Sequence, residues 1–117
     1  MSKSILVVDD VGINLLLPGL ILRPYGWTVH EAETGDQALE MLTILSVAYV
    51  LLDLNLPDVH GTDLLPRLKA MTHLKGTKVI AYTSYATSQD HERLASAGFD
   101  AVLIKPINTK KLLKLLE

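Results

Sequence analysis

Short apolar runs alternate with longer amphipathic stretches along the whole chain. Runs of four to six residues, apolar throughout or alternating apolar with polar, predict five strands, at 5–8, 27–32, 49–53, 78–83 and 101–104. Between them, apolar side chains recur three and four positions apart, the spacing that is typical of helices packed on one face. This alternation predicts an α/β fold, a doubly wound (βα)5 parallel sheet with helices on both faces. Right-handed crossovers then bring the carboxyl ends of all strands to one edge.

Polar residues at fixed offsets predict where several helices begin. Thr34 with Gln37, and Thr87 with Asp90, have the spacing of a capping box, in which each side chain bonds the other residue's backbone N–H. Asn108 is placed to cap the last helix.

The first helix, predicted for about residues 13–25, is apolar nearly all round and carries Pro18 in its middle. A proline there removes one backbone hydrogen bond and costs about 3 kcal/mol or more, which predicts a kink near residues 14–18 or a helix that starts late. Its apolar side chains have two interpretations: core of a distorted helix, which we favour slightly, or a surface on which a partner docks.

Composition narrows the function classes. A length of 117 residues fits one domain covering 1–117, and a hydrophobic fraction of 49% is enough for a core. The formal net charge of -2 argues against nucleic-acid binding. The apolar runs are too short for a membrane span or a signal peptide, and cysteine is absent, so we expect a soluble, cytoplasmic protein without membrane contact. The histidines share no ligand spacing and are predicted to lie at the surface: His30, His60, His73 and His91.

The strand ends carry the candidate chemistry. Strand one ends on Asp9 and Asp10, strand three on Asp53, strand four on Thr83, and strand five on Lys105. Carboxylates this close are costly to ionise together, and a hard divalent cation, for which we expect Mg²⁺, would offset their repulsion. Lysine and hydroxyl groups suit phosphoryl oxygens, and a carboxylate is itself a possible nucleophile that forms an aspartyl phosphate. Each residue alone also has an ordinary structural role, such as helix capping; the five together at one edge favour phosphoryl chemistry, with Asp53 as the best acceptor.

The same residues carry a family resemblance that covers essentially the whole chain. The sequence resembles a response-regulator receiver domain of bacterial two-component signalling, in the CheY-like superfamily. The matching motifs are Val7-Val8-Asp9-Asp10, Asp53-Leu54-Asn55-Leu56-Pro57 with Gly61, Ala81-Tyr82-Thr83-Ser84, Gly98-Phe99-Asp100-Ala101 and Lys105-Pro106. The resemblance implies a flavodoxin-like sheet of order 2-1-3-4-5 and a cis Lys105-Pro106 bond.

The resemblance also implies roles. Asp53 would accept phosphate from a histidine kinase or histidine phosphotransfer protein, and the fourth helix, fifth strand and fifth helix would change in response. Mg²⁺ would be bound by Asp10, Asp53 and the Asn55 backbone carbonyl directly, and by Asp9 through water. Thr83 and Lys105 would hold the phosphoryl oxygens. A downstream effector or a covalently linked output domain would read the change, and the protein would catalyse chemistry only on its own Asp53.

One position departs from the family pattern, and two others tune the family's chemistry. An aromatic residue usually stands three before the lysine, and Val102 stands there, so the usual coupling between threonine and aromatic ring is in question. Positions two after Asp53 and two after Thr83 tune phosphoryl lifetime in the family. Asn55 would orient water and Tyr85 would shield the phosphoryl group, so these effects oppose each other. Tyr85 fits equally well as an ordinary half-exposed loop tyrosine.

Three other functions fit parts of the pattern. An unphosphorylated receiver-like docking module is favoured by Val102 and the interrupted first helix, but opposed by the complete acidic, hydroxyl and lysine set. A Mg²⁺-dependent phosphatase with an aspartyl nucleophile generally needs a second acid where Asn55 stands, and a cap for which the chain has no room. A flavin-binding domain of the same topology lacks its phosphate loop after strand one.

Overall fold

A computed structural model describes residues 3–84 and 86–117. Its five strands form one parallel sheet in the order β2-β1-β3-β4-β5, which confirms the predicted fold class and the implied strand order. The strands are β1 (Ser4–Val8), β2 (Thr28–Ala32), β3 (Tyr49–Asp53), β4 (Lys78–Thr83) and β5 (Ala101–Ile104). The expectations for Tyr85 lie outside the described residues.

Helices follow each strand, as the alternating pattern predicted. They are α1 (Gly12–Leu22), α2 (Gly35–Leu42), α3 (Gly61–Lys69), α4 (Ser88–Ala97) and α5 (Thr109–Leu115), with short 3-10 helices at Arg23–Tyr25 and Thr72–Leu74. Within the described ranges, no helix is long and apolar enough to cross a membrane.

The core has two parts, one on each face of the sheet, because side chains alternate along each strand. In β1, Leu6 and Val8 join the cluster under α2, α3 and α4, whereas Ile5 and Val7 join the cluster under α1 and α5. All four side chains are fully buried. A strand with both faces covered has no polar position, which is why the apolar runs identified the strands.

The helix starts agree with the capping predictions except in one detail. Thr87 and Asp90 form a complete capping box at α4, and Asn108 accepts from the backbone of the third residue of α5. Thr34 caps α2 by accepting from Gln37 N, but the Gln37 amide oxygen accepts from Glu33 N, one residue before the predicted partner. The capping box of Thr34 and Gln37 at α2 is therefore only half formed.

Helix α1 corrects two expectations. It begins at Gly12 and continues through Pro18, so the prediction of a late start is wrong. Leu15 and Leu22 are core, but other apolar side chains of this segment face solvent: Val11, Ile13, Leu16 and Leu20. The slight preference for core was therefore wrong for Ile13, Leu16 and Leu20, which belong to the predicted helix. Among the histidines, three are exposed as predicted, whereas His30 in β2 is half-buried.

Candidate functional site

Three aspartates meet where β1 and β3 end side by side. Parallel pairing of Val8 with Leu52 sets the next residues, Asp9 and Asp53, beside each other at the same edge. Asp9 is fully buried, Asp53 is 6% exposed, and Asp10 is open to solvent. One carboxylate oxygen from each lies within 4.8 Å of the others.

Lys105 is the positive charge of this cluster. Its Nζ lies 2.5 Å from Asp9 Oδ2 and 3.4 Å from Asp53 Oδ1, and its side chain is only 10% exposed. The backbone fixes its place, because Lys105 N donates to the Thr83 carbonyl at 2.8 Å and the Lys105-Pro106 bond is cis, as the resemblance implied.

Thr83 and Asn55 lie next to the charged cluster. Asp53 pairs with Tyr82 across β3 and β4, so the buried Thr83 is one position beyond the residue opposite Asp53. Asn55 N donates to Asp53 Oδ1 at 3.3 Å. A cleft of about 540 Å³ opens over the cluster, and its lining includes Asp10, Val11, Asn14, Asp53, Asn55, Ser84, Lys105 and Pro106. The structure thus gathers all the predicted site residues at one sheet edge.

The carboxylates are held in an environment that suits a cation. Burial raises the pKa of Asp53; the Lys105 ammonium opposes this and the neighbouring Asp9 adds to it. Asp9 Oδ2 is buried, and the Lys105 ammonium, 2.5 Å away, compensates its charge. Three carboxylates beside an open cleft fit Mg²⁺, which prefers oxygen ligands and retains several waters.

The raised pKa of Asp53 predicts that Asp53→Asn stabilises the metal-free domain. A carboxyl whose pKa is higher in the folded state favours folding when protonated, and that stability is lost as pH rises from 3.8 through the folded value. At neutral pH the wild-type carboxylate is charged although it is buried, and this lowers the stability of the fold. The neutral amide of asparagine removes that loss, and a gain of about 1 kcal/mol would raise Tm by roughly 4 °C. Thermal unfolding in EDTA measures it. A variant less stable than wild type at pH 7 would contradict the prediction, and added Mg²⁺ should narrow the difference.

Two side chains near the site have roles that the sequence pattern did not reveal. Asp58 accepts from Gly35 N and Asp36 N at 2.9 Å each, so the loop after β3 caps α2, and these bonds lower the pKa of the Asp58 carboxyl. Tyr82 is fully buried, with Lys105 Nζ 4.7 Å from its ring centroid. Both contacts join distant parts of the chain, and no local spacing signals them.

Comparisons with known proteins identify the family to which this fold and this site belong. A family model described as the response regulator receiver domain matches residues 5–117. The chain belongs to the response regulator receiver domain family. It is therefore a receiver domain of two-component signalling, with the CheY-like flavodoxin fold.

Relatives of this receiver domain occur alone and within larger proteins. It is 29% identical to the polar-differentiation response regulator DivK of Brucella ovis, over 97% of this chain and 93% of DivK. It is 31% identical to the signal transduction histidine-protein kinase BarA of Shigella flexneri, over 99% of this chain but only 13% of BarA. The chain thus spans a small part of that kinase and nearly all of DivK.

Solved structures of receiver domains have the same fold as this chain. A CheY-like receiver domain protein from Methanospirillum hungatei JF-1 superposes with a TM-score of 0.86 at 33% identity, covering 97% of this chain and 90% of that one. A sensor histidine kinase receiver domain from Pseudomonas aeruginosa PAO1 has a TM-score of 0.86 at 27% identity, covering 97% and 93%. That protein is described with a magnesium ion coordinated in its active site cleft.

Proposed function

We propose that this receiver domain is a phosphoacceptor, with Asp53 taking a phosphoryl group from a phosphohistidine of a histidine kinase or histidine phosphotransfer protein. The observation that supports this most is the placement of Asp53. Its carboxylate lies beneath an open cleft, with Lys105 Nζ at 3.4 Å and two further aspartates close by.

The transfer needs an oxygen nucleophile and groups that stabilise charge on phosphorus. An Asp53 carboxylate oxygen forms the new P–O bond as the P–N bond of the donor histidine breaks, and the donor imidazole leaves with the electron pair and is protonated by solvent. Lys105 and Thr83 are placed to bind oxygens of the transferring group. Lys105 would then exchange its contact with Asp53 for one with the phosphoryl group.

Asp10, Asp53 and the Asn55 backbone carbonyl are the proposed direct ligands of Mg²⁺, with Asp9 acting through water. The bound ion supplies positive charge that offsets the carboxylates and the phosphoryl oxygens. The charge balance of the cluster supports this assignment, because the single Lys105 ammonium faces the carboxylates of Asp9, Asp10 and Asp53. A divalent cation would offset the negative charge that remains.

The proposed output is a change on the face formed by α4, β5 and α5. Val102 on that face is half-buried and packs against the core cluster on the α3 and α4 side of the sheet. A valine has no ring that can swing between inward and outward positions. The response would therefore travel through the backbone of β4 and β5, which Lys105 N and the Thr83 carbonyl already join. A separate effector or a linked output domain would read it.

Incubation with acetyl phosphate and Mg²⁺, followed by intact-mass measurement, tests the proposal. Wild type should gain one phosphoryl group, and Asp53→Asn and an EDTA-treated sample should gain none. Asp63→Asn is a matched control, because Asp63 is an exposed aspartate in the first turn of α3 and should leave the adduct unchanged. A folded wild type that binds Mg²⁺ and gains no phosphoryl group would contradict the proposal.

A docking module that works without phosphorylation is the second candidate. The solvent-facing side chains of Ile13, Leu16 and Leu20 favour it, because they form an apolar stripe on α1. Under this alternative, Asp53→Asn would bind a partner as tightly as wild type. Under the proposed function, binding of the phosphorylated form would differ from binding of the variant.

A further inference from the structure

Pro18 leaves one carbonyl of α1 without its helical partner. In a regular helix the N–H of residue 18 donates to the carbonyl of residue 14, and proline has no N–H. The Tyr82 hydroxyl donates to that carbonyl, Asn14 O, at 3.0 Å. A side chain from β4 therefore replaces the hydrogen bond that Pro18 removes from α1.

The same tyrosine also contacts the charged cluster. Lys105 Nζ lies 4.7 Å from the Tyr82 ring centroid, a distance at which a cation is attracted to an aromatic face. Tyr82 is fully buried, and burial together with the charges of Asp9 and Asp53 raises the pKa of its phenol. A tyrosine hydroxyl is protonated at neutral pH, and this one donates to Asn14 O.

The first turn of α1 needs this support because it forms one wall of the cleft. Asp10 comes two residues before the helix, and Val11 and Asn14 line the cleft beside it. The N-cap residue, Val11, offers no side-chain acceptor to the first helical N–H groups. The contacts that fix this turn include the Val11 N–H bond to Asp9 Oδ1, at 2.9 Å, and the Tyr82 bond to Asn14.

We propose that Tyr82 is a positioning residue for the Mg²⁺ and phosphoryl site. Its hydroxyl fixes the first turn of α1, and with it Asp10, by replacing the hydrogen bond lost at Pro18, while its ring supports the Lys105 ammonium. This inference rests on the proposed function, since it assigns Tyr82 a role in the same site. Pro18 and Tyr82 would then act as a pair, in which the Tyr82 hydroxyl compensates for the hydrogen bond that Pro18 removes.

A double-mutant cycle tests the pair. Tyr82→Phe keeps the ring and removes the hydroxyl, and we expect it to weaken Mg²⁺ binding, measured by titration calorimetry, about fivefold. In a Pro18→Ala background the new N–H of residue 18 bonds Asn14 O, so the same change should weaken binding less than about twofold. Hydrogen exchange of amides in the first two turns of α1 should follow the same pattern. If Tyr82 only filled the core, Pro18→Ala would not restore the Mg²⁺ binding that Tyr82→Phe weakens.

Two further variants separate the hydroxyl from the ring. Tyr82→Leu removes both, so it should weaken Mg²⁺ binding or phosphorylation in either background, and Pro18→Ala should not restore them. Tyr49→Phe is the control, because Tyr49 starts β3 at the opposite end of the sheet, where its ring centroid is 5.9 Å from that of Trp27. It should change neither Mg²⁺ binding nor phosphorylation.

Equal losses from Tyr82→Phe in both backgrounds, or no loss in either, would overturn the positioning role. A wild type that binds no Mg²⁺ would also overturn it. If Mg²⁺ binding follows the cycle but acetyl phosphate gives no adduct, the positioning role stands and the proposed phosphoacceptor function fails. The two failures are therefore distinguishable.

Discussion

Replacing Lys105 with methionine should destabilise the metal-free domain by about 3 kcal/mol at neutral pH. The substitution keeps a side chain of similar length and removes its charge. Asp9 is fully buried and Asp53 nearly so, and both depend on the Lys105 ammonium at 2.5 and 3.4 Å. Removal of one partner from a buried ion pair leaves the remaining charge uncompensated, a loss much larger than that of a surface pair.

The chain contains a matched control for this experiment. Lys69 Nζ lies 3.3 Å from Asp100 Oδ2, but the two side chains are 41% and 39% exposed. Asp100 Oδ2 also accepts from Val79 N at 2.8 Å, so it keeps a partner when Lys69 is changed. Lys69→Met should therefore cost less than about 1 kcal/mol. Urea unfolding of both variants in EDTA gives the comparison.

Mg²⁺ and acid should each reduce the loss in Lys105→Met. A cation bound among the carboxylates supplies charge in place of the ammonium, and stability rises with the concentration of a ligand that binds only the folded state. Low pH protonates the carboxylates and removes the repulsion between them. If the loss in EDTA is no larger than that of Lys69→Met, or if neither Mg²⁺ nor acid reduces it, the ion pair does not have the role we assign to it.

The sheet, and the position of the candidate site residues at one edge of it, were predictable from sequence for a physical reason. A central parallel strand buries both faces, so β1 and β3 appear as uninterrupted apolar runs that stop at the first polar residue. Parallel topology then brings those stopping points together, so the amino-acid pattern alone predicts that Asp9, Asp53 and Lys105 lie at one edge. The strand order itself came from family resemblance, because apolar patterns do not determine which strands are neighbours.

The parts that were missed depend on contacts between distant segments. The Tyr82 hydroxyl and the Asn14 carbonyl are 68 positions apart in sequence, and the Asp58 carboxylate caps a helix 23 positions before it. The sequence pattern placed Tyr82 in the fourth strand but gave no sign of what its hydroxyl bonds. Which face of α1 is buried could not be predicted either. A helix that is apolar all round has no hydrophobic periodicity, so the pattern does not separate the buried Leu15 from the exposed Leu16.

Gly61→Ala should destabilise the domain by about 2 kcal/mol and slow phosphorylation of Asp53. Gly61 is the first residue of α3, and its N–H donates to the Leu54 carbonyl at 2.8 Å. A Cβ atom there would lie 2.8 Å from the Asp53 carbonyl oxygen and 2.9 Å from Leu54 Cα. Both contacts are with backbone, so no side-chain rotation relieves them. The end of β3 must shift, and the Asp53 carboxylate shifts with it relative to Lys105.

Gly12→Ala is the matched control. Gly12 is the first residue of α1, and a Cβ there meets no described atom within 4 Å apart from its chain neighbours and the backbone of its own helix. There the substitution should be neutral or stabilise by up to about 0.5 kcal/mol, since alanine loses less backbone freedom than glycine in a helix. Urea unfolding and the rate of adduct formation with acetyl phosphate test both variants. If Gly61→Ala matches Gly12→Ala in both measurements, the close approach of α3 to β3 does not fix Asp53. Lower stability at an unchanged phosphorylation rate would show that the shift stays within the loop and does not reach the carboxylate.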